Sequence, residues 1–240
     1  MNAAIVWNTF HRILTRPMVV LLLFAHVVFA SILGFEHGNR QLNYEYWKVR
    51  DSLWITYTWA LGAGLLGRDL SDGILPLIFS RPVSRAAYVL SRWAGLVLAV
   101  AAIMALDAAL GTSFVGRVGH EVDLLAFLAG FGLSLLVVAA TAALLTLLSS
   151  LAPGHGDLWL FLGAWLLLYL LTQLTSDKVF NENMAAIFTL FLLPGSNLFG
   201  SQPMTKDFFV YAWPGLEAAA CLVLAIAVLK RREITYVMAS

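Results

Sequence analysis

The sequence predicts an all-α membrane protein with six transmembrane helices, and three observations carry that prediction. First, 60% of the 240 residues are hydrophobic and only 12% are charged, where a soluble domain carries about a quarter charged. Second, the mean hydropathy is +0.82, and the charges are clustered, so that long uncharged windows of membrane-spanning length remain. Third, those windows are separated by polar or Pro/Gly-punctuated stretches, with Tyr and Trp near several of their ends, as in interfacial aromatic belts. The whole chain, 1–240, reads as one transmembrane domain. The net charge of +1 is uninformative by itself, because location matters more than sum. Membrane lipid is an expected partner and nucleic acid is not.

The leading stretch places Ile5 or Val6, Phe10, Ile13 and Leu14 at helical spacing, with Asn8, His11, Arg12 and Thr15 opposite. This predicts an amphipathic helix in the headgroup region with Trp7 at the interface. Pro17 then opens a first span, 17–35, as proline does in a first turn. A polar stretch containing Tyr44, Tyr46 and Trp47 follows. The second span, 53–67, has a core of 14 apolar-rich residues (53–66), about 21 Å at the helical rise and short for a core of about 30 Å. It must extend through Trp47 or Arg68. Next comes a charged segment, 68–85, and then spans over 86–110 and 124–151. Pro153-Gly154-His155-Gly156 is a helix breaker. The fifth span, 158–174, has Asp157 as an expected N-cap. Met184 to Leu193 is too short to cross and predicts a re-entrant or interfacial helix. The last span, 208–229, stops at Lys230-Arg231-Arg232.

Six spans put the N-terminal segment, the loop from Arg68 to Arg92, the 152–157 turn and the C-terminal tail on one side. That side receives nine of the 15 Lys and Arg residues, which predicts both termini in the cytoplasm. The first apolar run has no small-residue cleavage site after it and is expected to stay as an anchor. The single cysteine, Cys221, cannot form an internal disulfide.

Enzymatic signatures are sparse. Gly195 to Ser201 has glycine spacing but no lysine for a phosphate loop, and no zinc or paired-cysteine motif occurs. No cofactor is expected. Of five histidines, only His26 falls within a span, and haem between helices usually needs two ligands. It reads as a packed histidine and is kept as a candidate pathway residue. Asp107 and Glu217 are the acids inside apolar runs, and intramembrane acids are functional candidates by default. Against this, Asp107 lies near a span end, where it can be hydrated. Pro214-Gly215 can also start the last helix, placing Glu217 in its first turn beside the helix dipole. Ala139 to Ala143 and Gly62-Ala63-Gly64 allow close helix packing.

The 68–85 segment carries the richest pattern. Asp69 and Asp72 precede Gly73, the apolar run Ile74 to Phe79, and Ser80-Arg81-Pro82-Val83-Ser84-Arg85. The run is too short to span and predicts a short helix on the cytoplasmic surface, begun by Pro76. This pattern resembles the cytoplasmic coupling region of ABC-2 type transporter permeases, the membrane subunits of ATP-binding-cassette transporters. The layout is similar along the whole chain, from the amphipathic first helix to the basic tail. The chain departs from the family in having Asp where Glu is commoner, Ile74 where Thr is commoner, and Pro76 inside the run. The resemblance implies a permease in the inner membrane of a prokaryote, with no enzymatic activity of its own, driven by a separate ATPase subunit. It implies that Ile74, Leu77, Ile78 and Phe79 fill a groove on the ATPase beside Gly73, while Asp69, Asp72, Arg81 and Arg85 set register at the rim. It also implies a second permease chain, identical or related. The shortage of charge within the spans points to export of a hydrophobic or amphipathic cargo. The rival readings are an intramembrane enzyme and a non-transporting anchor that recruits an ATPase.

Overall fold

A computed structural model describes residues 1–17, 44–118, 123–174 and 208–232, together with positions 19, 21 and 24. The described residues are helical and contain no strand. The first span beyond these positions, His26 and the 184–193 run lie outside the described residues.

Helix α1 (Ala3–Leu14) begins where the Asn2 side chain accepts from the amides of Ala4 and Ile5, satisfying donors that a helix start leaves free. It buries Val6, Thr9 and Ile13 and leaves Trp7 65% exposed. Helix α2 (Tyr44–Gly62) takes in residues 53–62 of the expected second span and runs back through Trp47, ending before Arg68. A turn at 63–66 leads to α3 (Gly67–Ser71), and Gly73 separates α3 from α4 (Leu75–Phe79). Pro76 sits in the first turn of α4, where its missing N–H costs nothing.

Ser84 caps α5 (Arg85–Val118), its hydroxyl accepting from Ala87 N at 3.1 Å. Helix α6 (Leu124–Leu151) has the expected bounds. Asp123 caps it by accepting from Ala126 N, and Pro153 follows its end. Helices α7 (Gly156–Leu174) and α8 (Phe208–Arg231) complete the described set.

Three stretches, Arg85–Leu110, Leu124–Leu151 and Ala212–Arg231, are long and apolar enough to cross a membrane. At 26, 28 and 20 residues they measure about 39, 42 and 30 Å against a hydrocarbon core of about 30 Å. Each also turns large apolar side chains outward, such as Leu98 and Leu106 on α5, Leu125 and Leu128 on α6, and Val223 and Leu224 on α8. A helix apolar on both inner and outer faces belongs in lipid. The protein is therefore an α-helical membrane protein.

Two apolar clusters hold the bundle. One joins α2, α5 and α6 through Trp54, Leu96, Met104, Val137 and Leu145. The other joins α5, α6 and α8 through Tyr88, Val89, Ala140, Ala143, Ala225 and Leu229. The small residues of the Ala139–Ala143 run thus serve close packing, as the sequence suggests. Two buried threonine hydroxyls of α6 satisfy themselves locally: Thr141 and Thr146 donate to the carbonyls of Val137 (2.9 Å) and Ala142 (2.6 Å), which offsets the cost of burying them.

Candidate functional site

The residues of the 68–85 segment fall at one end of the bundle, and hydrogen bonds hold that end together. Arg85 Nη1 donates to the carbonyls of Leu229 (2.9 Å) and Lys230 (2.7 Å) at the end of α8. Arg232 Nη2 donates to Leu151 O at 2.6 Å. Gly154 N donates to Gly67 O at 2.6 Å. Arg12 reaches Asp69. The N-terminal segment, the 68–85 segment, the 152–157 turn and the end of α8, grouped by the expected topology, are thus also grouped in space.

Within this end, α3 is held and α4 projects. Asp69 is expected at the rim with Asp72, Arg81 and Arg85, but the structure turns it inward, 1% exposed. Its Oδ2 accepts from Arg92 Nη2 and from Tyr88 Oη, and Arg12 Nη1 lies 3.5 Å from Oδ1. Arg92 also donates to Tyr88 Oη (3.4 Å) and to Thr9 Oγ1 (3.2 Å). One carboxylate therefore joins α3 to α5 and α1. The physical reason is pairing: Tyr88 and Arg92, one turn apart on α5, present two donors, and among their described partners Asp69 on α3 is the one that brings a carboxylate.

The turn before α3 is fastened as firmly. Ser149 Oγ accepts from Leu66 N (2.9 Å) and Gly67 N (2.8 Å). Asp157, expected as an N-cap, lies inside the first turn of α7, and its Oδ2 accepts from Gly64 N at 2.7 Å. Gly64 has φ +69°, a left-handed conformation that glycine adopts without strain. A Cβ at Gly67 would lie 2.4 Å from Gly154 O and 2.8 Å from Ala152 O. Only glycine lets these backbones meet.

Beyond Gly73 (φ +65°) the chain turns outward. Leu75 is buried. Ile78 and Phe79 are half-buried, and the Phe79 ring meets Tyr88 edge-on at 5.6 Å with the Arg85 guanidinium 5.7 Å from its centroid. Leu77 is 70% and Ile74 37% exposed, while Asp72, Gly73 and Arg81 are fully at the surface. The nine predicted docking residues therefore divide. Asp72, Gly73, Ile74, Leu77 and Arg81 form an outward surface, and Asp69, Ile78, Phe79 and Arg85 anchor it to the bundle.

The intramembrane acids lie elsewhere. Asp107, expected near enough to a span end to be hydrated, is buried on α5, within electrostatic reach of Tyr57. Helix α8 starts at Phe208 and continues through Pro214, so Glu217 is not in a first turn. It is 7% exposed, and neither carboxyl oxygen has a hydrogen-bond partner among the described residues. No group of three potential metal ligands occurs among the described residues.

Sequence reasoning missed Thr9, Arg12, Tyr88 and Arg92 as site residues. The available signal was a polar Tyr88–Ser91–Arg92 patch on the first turns of an otherwise apolar helix, opposite a threonine on the buried side of α1. No protein-family model matches the chain, and neither does any curated protein.

Proposed function

We propose that this chain is the membrane-spanning permease subunit of an ATP-binding-cassette transporter of the ABC-2 type. In this reading six spans cross the inner membrane of a prokaryote, and both termini are cytoplasmic. A separate ATPase subunit docks on the surface formed by Asp72, Gly73, Ile74, Leu77 and Arg81, and ATP is hydrolysed there rather than in this chain. A second permease chain, identical or related, completes the pathway, and the cargo is hydrophobic or amphipathic.

The observation that carries the reading is the outward apolar tip of α4. Ile74 and Leu77 stand exposed at the end of the bundle where Arg12, Arg16, Arg68, Arg81, Arg85 and Lys230–Arg232 gather, a distribution that favours the cytoplasmic side. An exposed leucine on a short surface helix, ringed by charge, suits a helix-in-groove contact. The charges around it would steer and fix register, and the apolar anchors would supply affinity.

A pull on α4 has a defined route inward. Leu75 and Phe79 pass it to α5, Asp69 to Arg92 and Arg12, and Gly64 and Gly67 to Asp157 and Ser149. Closure of the ATPases would thus tilt the inner ends of several helices together. Arg85 couples the same segment to α8.

The test is co-purification with an ATP-binding-cassette ATPase encoded beside this chain. Leu77→Asp should release that subunit while membrane insertion is retained, whereas Phe79→Asp should also destabilise the bundle, because its ring packs on Tyr88. Ser71→Cys should react with a membrane-impermeant thiol reagent only from the cytoplasm; the native Cys221 is buried and leaves little background. Unchanged co-purification of Leu77→Asp, or labelling from outside, would overturn the proposal.

A further inference from the structure

Arg12, Arg16 and Arg68 converge where the end of α1 meets the turn before α3. Arg12 reaches Asp69 over 3.5 Å with 39% of its side chain exposed. Arg16 Nη1 makes one long bond, 3.3 Å, to Leu61 O. The stem of Arg68 lies over Gly64, its Cγ 3.0 Å from where a Cβ would stand. Among the described residues the Arg68 guanidinium has no hydrogen bond or ion pair.

Two carboxylates meet this corner: that of Asp69 is already shared by Arg92, Tyr88 and Arg12, and that of Asp157 accepts from Gly64 N. Arg16 and Arg68 have no acidic partner among the described residues. Burial, followed by the charges of Arg12, Arg68 and Arg92, lowers the pKa of Arg16 below the ordinary arginine value, and no carboxylate offsets them. Guanidiniums stay protonated in proteins. Like charges held together in a partly desolvated corner therefore need an anion from outside. Guanidinium forks match phosphate oxygens in a bidentate way.

The surroundings identify the source of that phosphate. Trp7 on the outward face of α1 is exposed, and so are Leu21 and Phe24 beyond it. The corner thus lies between an apolar outer surface and the charged end of the bundle, at headgroup depth. Basic pockets at such a level take acidic headgroups.

We infer that Arg12, Arg16 and Arg68 form a binding site for the phosphate of an anionic phospholipid. The inference needs only a membrane-embedded bundle and stands apart from the transporter reading. The acyl chains would lie along α1 and the exposed side chains near Leu21 and Phe24, with the phosphate between Arg16 and Arg68.

The experiment uses the full chain purified in detergent and titrated with phosphatidylglycerol, phosphatidylcholine or inorganic phosphate. Bound lipid is counted by native mass spectrometry, and melting is followed in parallel. Phosphatidylglycerol should be retained and should raise the melting temperature; phosphatidylcholine should do neither. Arg16→Gln/Arg68→Gln should weaken retention by about ten- to a hundredfold, as expected for losing charge-assisted bonds. Lys230→Gln/Arg231→Gln, which removes equal charge from exposed positions at the same end, should stay within about twofold of wild type, because exposed charges contribute little. Arg16→Lys/Arg68→Lys keeps the charge but loses the fork and should fall between, which secures the test if the Gln pair folds poorly. Equal retention of both lipids, or equal loss in the control pair, would overturn the site. Full stabilisation by inorganic phosphate alone would overturn the lipid assignment.

Discussion

Asp69→Asn replaces a buried carboxylate with a near-isosteric amide. The carboxylate faces three donors, from Arg92, Tyr88 and Arg12. The amide has one oxygen to offer, and its NH2 must face a second donor. Arg92, 9% exposed, then keeps its charge with only Tyr88 and Thr9 as neutral partners. Breaking a buried pair from one side costs about 3–5 kcal/mol. The two retained hydroxyl contacts place this case near the lower figure. The longer, half-exposed Arg12 contact adds less than about 1 kcal/mol. For a chain of this size each kcal/mol moves the melting temperature by about 2–4 °C, so a loss of about 6–12 °C is expected. Tryptophan fluorescence of the detergent-purified protein is a suitable assay, since eight tryptophans are present. Arg92→Met alone strands the Asp69 carboxylate in turn. The double variant strands neither charge and should cost less than the two single losses combined, by about 1–3 kcal/mol. A shift under about 2 °C for Asp69→Asn, or strict additivity in the cycle, would refute the claim that this pair joins α3 to α5.

Helix propensity alone predicts that Gly67→Ala stabilises α3 by up to about 1 kcal/mol; the approach to Gly154 O and Ala152 O reverses the sign, with a loss of about 2–3 kcal/mol expected on thermal melting. Gly73→Ala has open space around it and should lose only the left-handed strain, about 1–2 kcal/mol. Ser149→Ala leaves the Leu66 and Gly67 amides without their acceptor and should cost about 2 kcal/mol, measured in the same way. Arg85→Ala frees the last carbonyls of α8 and the face of Phe79, so trypsin should cut at Lys230–Arg232 several-fold faster, with about 1–2 kcal/mol lost.

The spans were legible wherever apolar length met a strong stop signal. Asp123 and Pro153 bracket α6, and Pro76 starts α4, because capping and proline chemistry act within a few residues. The polar interior of the site was not legible from such local signals. Asp69 and Asp72 stand three apart in one charged segment, and nothing local says which turns inward. That is decided by Arg92, 23 residues further on, and by Arg12 on another helix. Asp157 looked like a cap for its own helix, but a left-handed turn 93 residues earlier presents a free amide that competes for it. Pro214 suggested a helix start for a sound local reason, yet α8 runs through it, with Ala218, Ala225 and Leu229 packed in the bundle beyond it. Tertiary packing outweighed the local preference there.

Gly73 divides two kinds of chain. On one side Gly64, Leu66, Gly67 and Asp69 are hydrogen-bonded to neighbouring helices; on the other, Leu77 and Arg81 face outward with Ile74 at the edge of the exposed surface. Substitutions at those positions should have small folding consequences, so that on the proposed reading docking could be altered there independently of the scaffold. On the proposed docking reading, exchanging Ile74, Leu77 and Arg81 alone should change the preference for the ATPase subunit, leaving the anchors Leu75, Ile78 and Phe79 and the membrane body as they were.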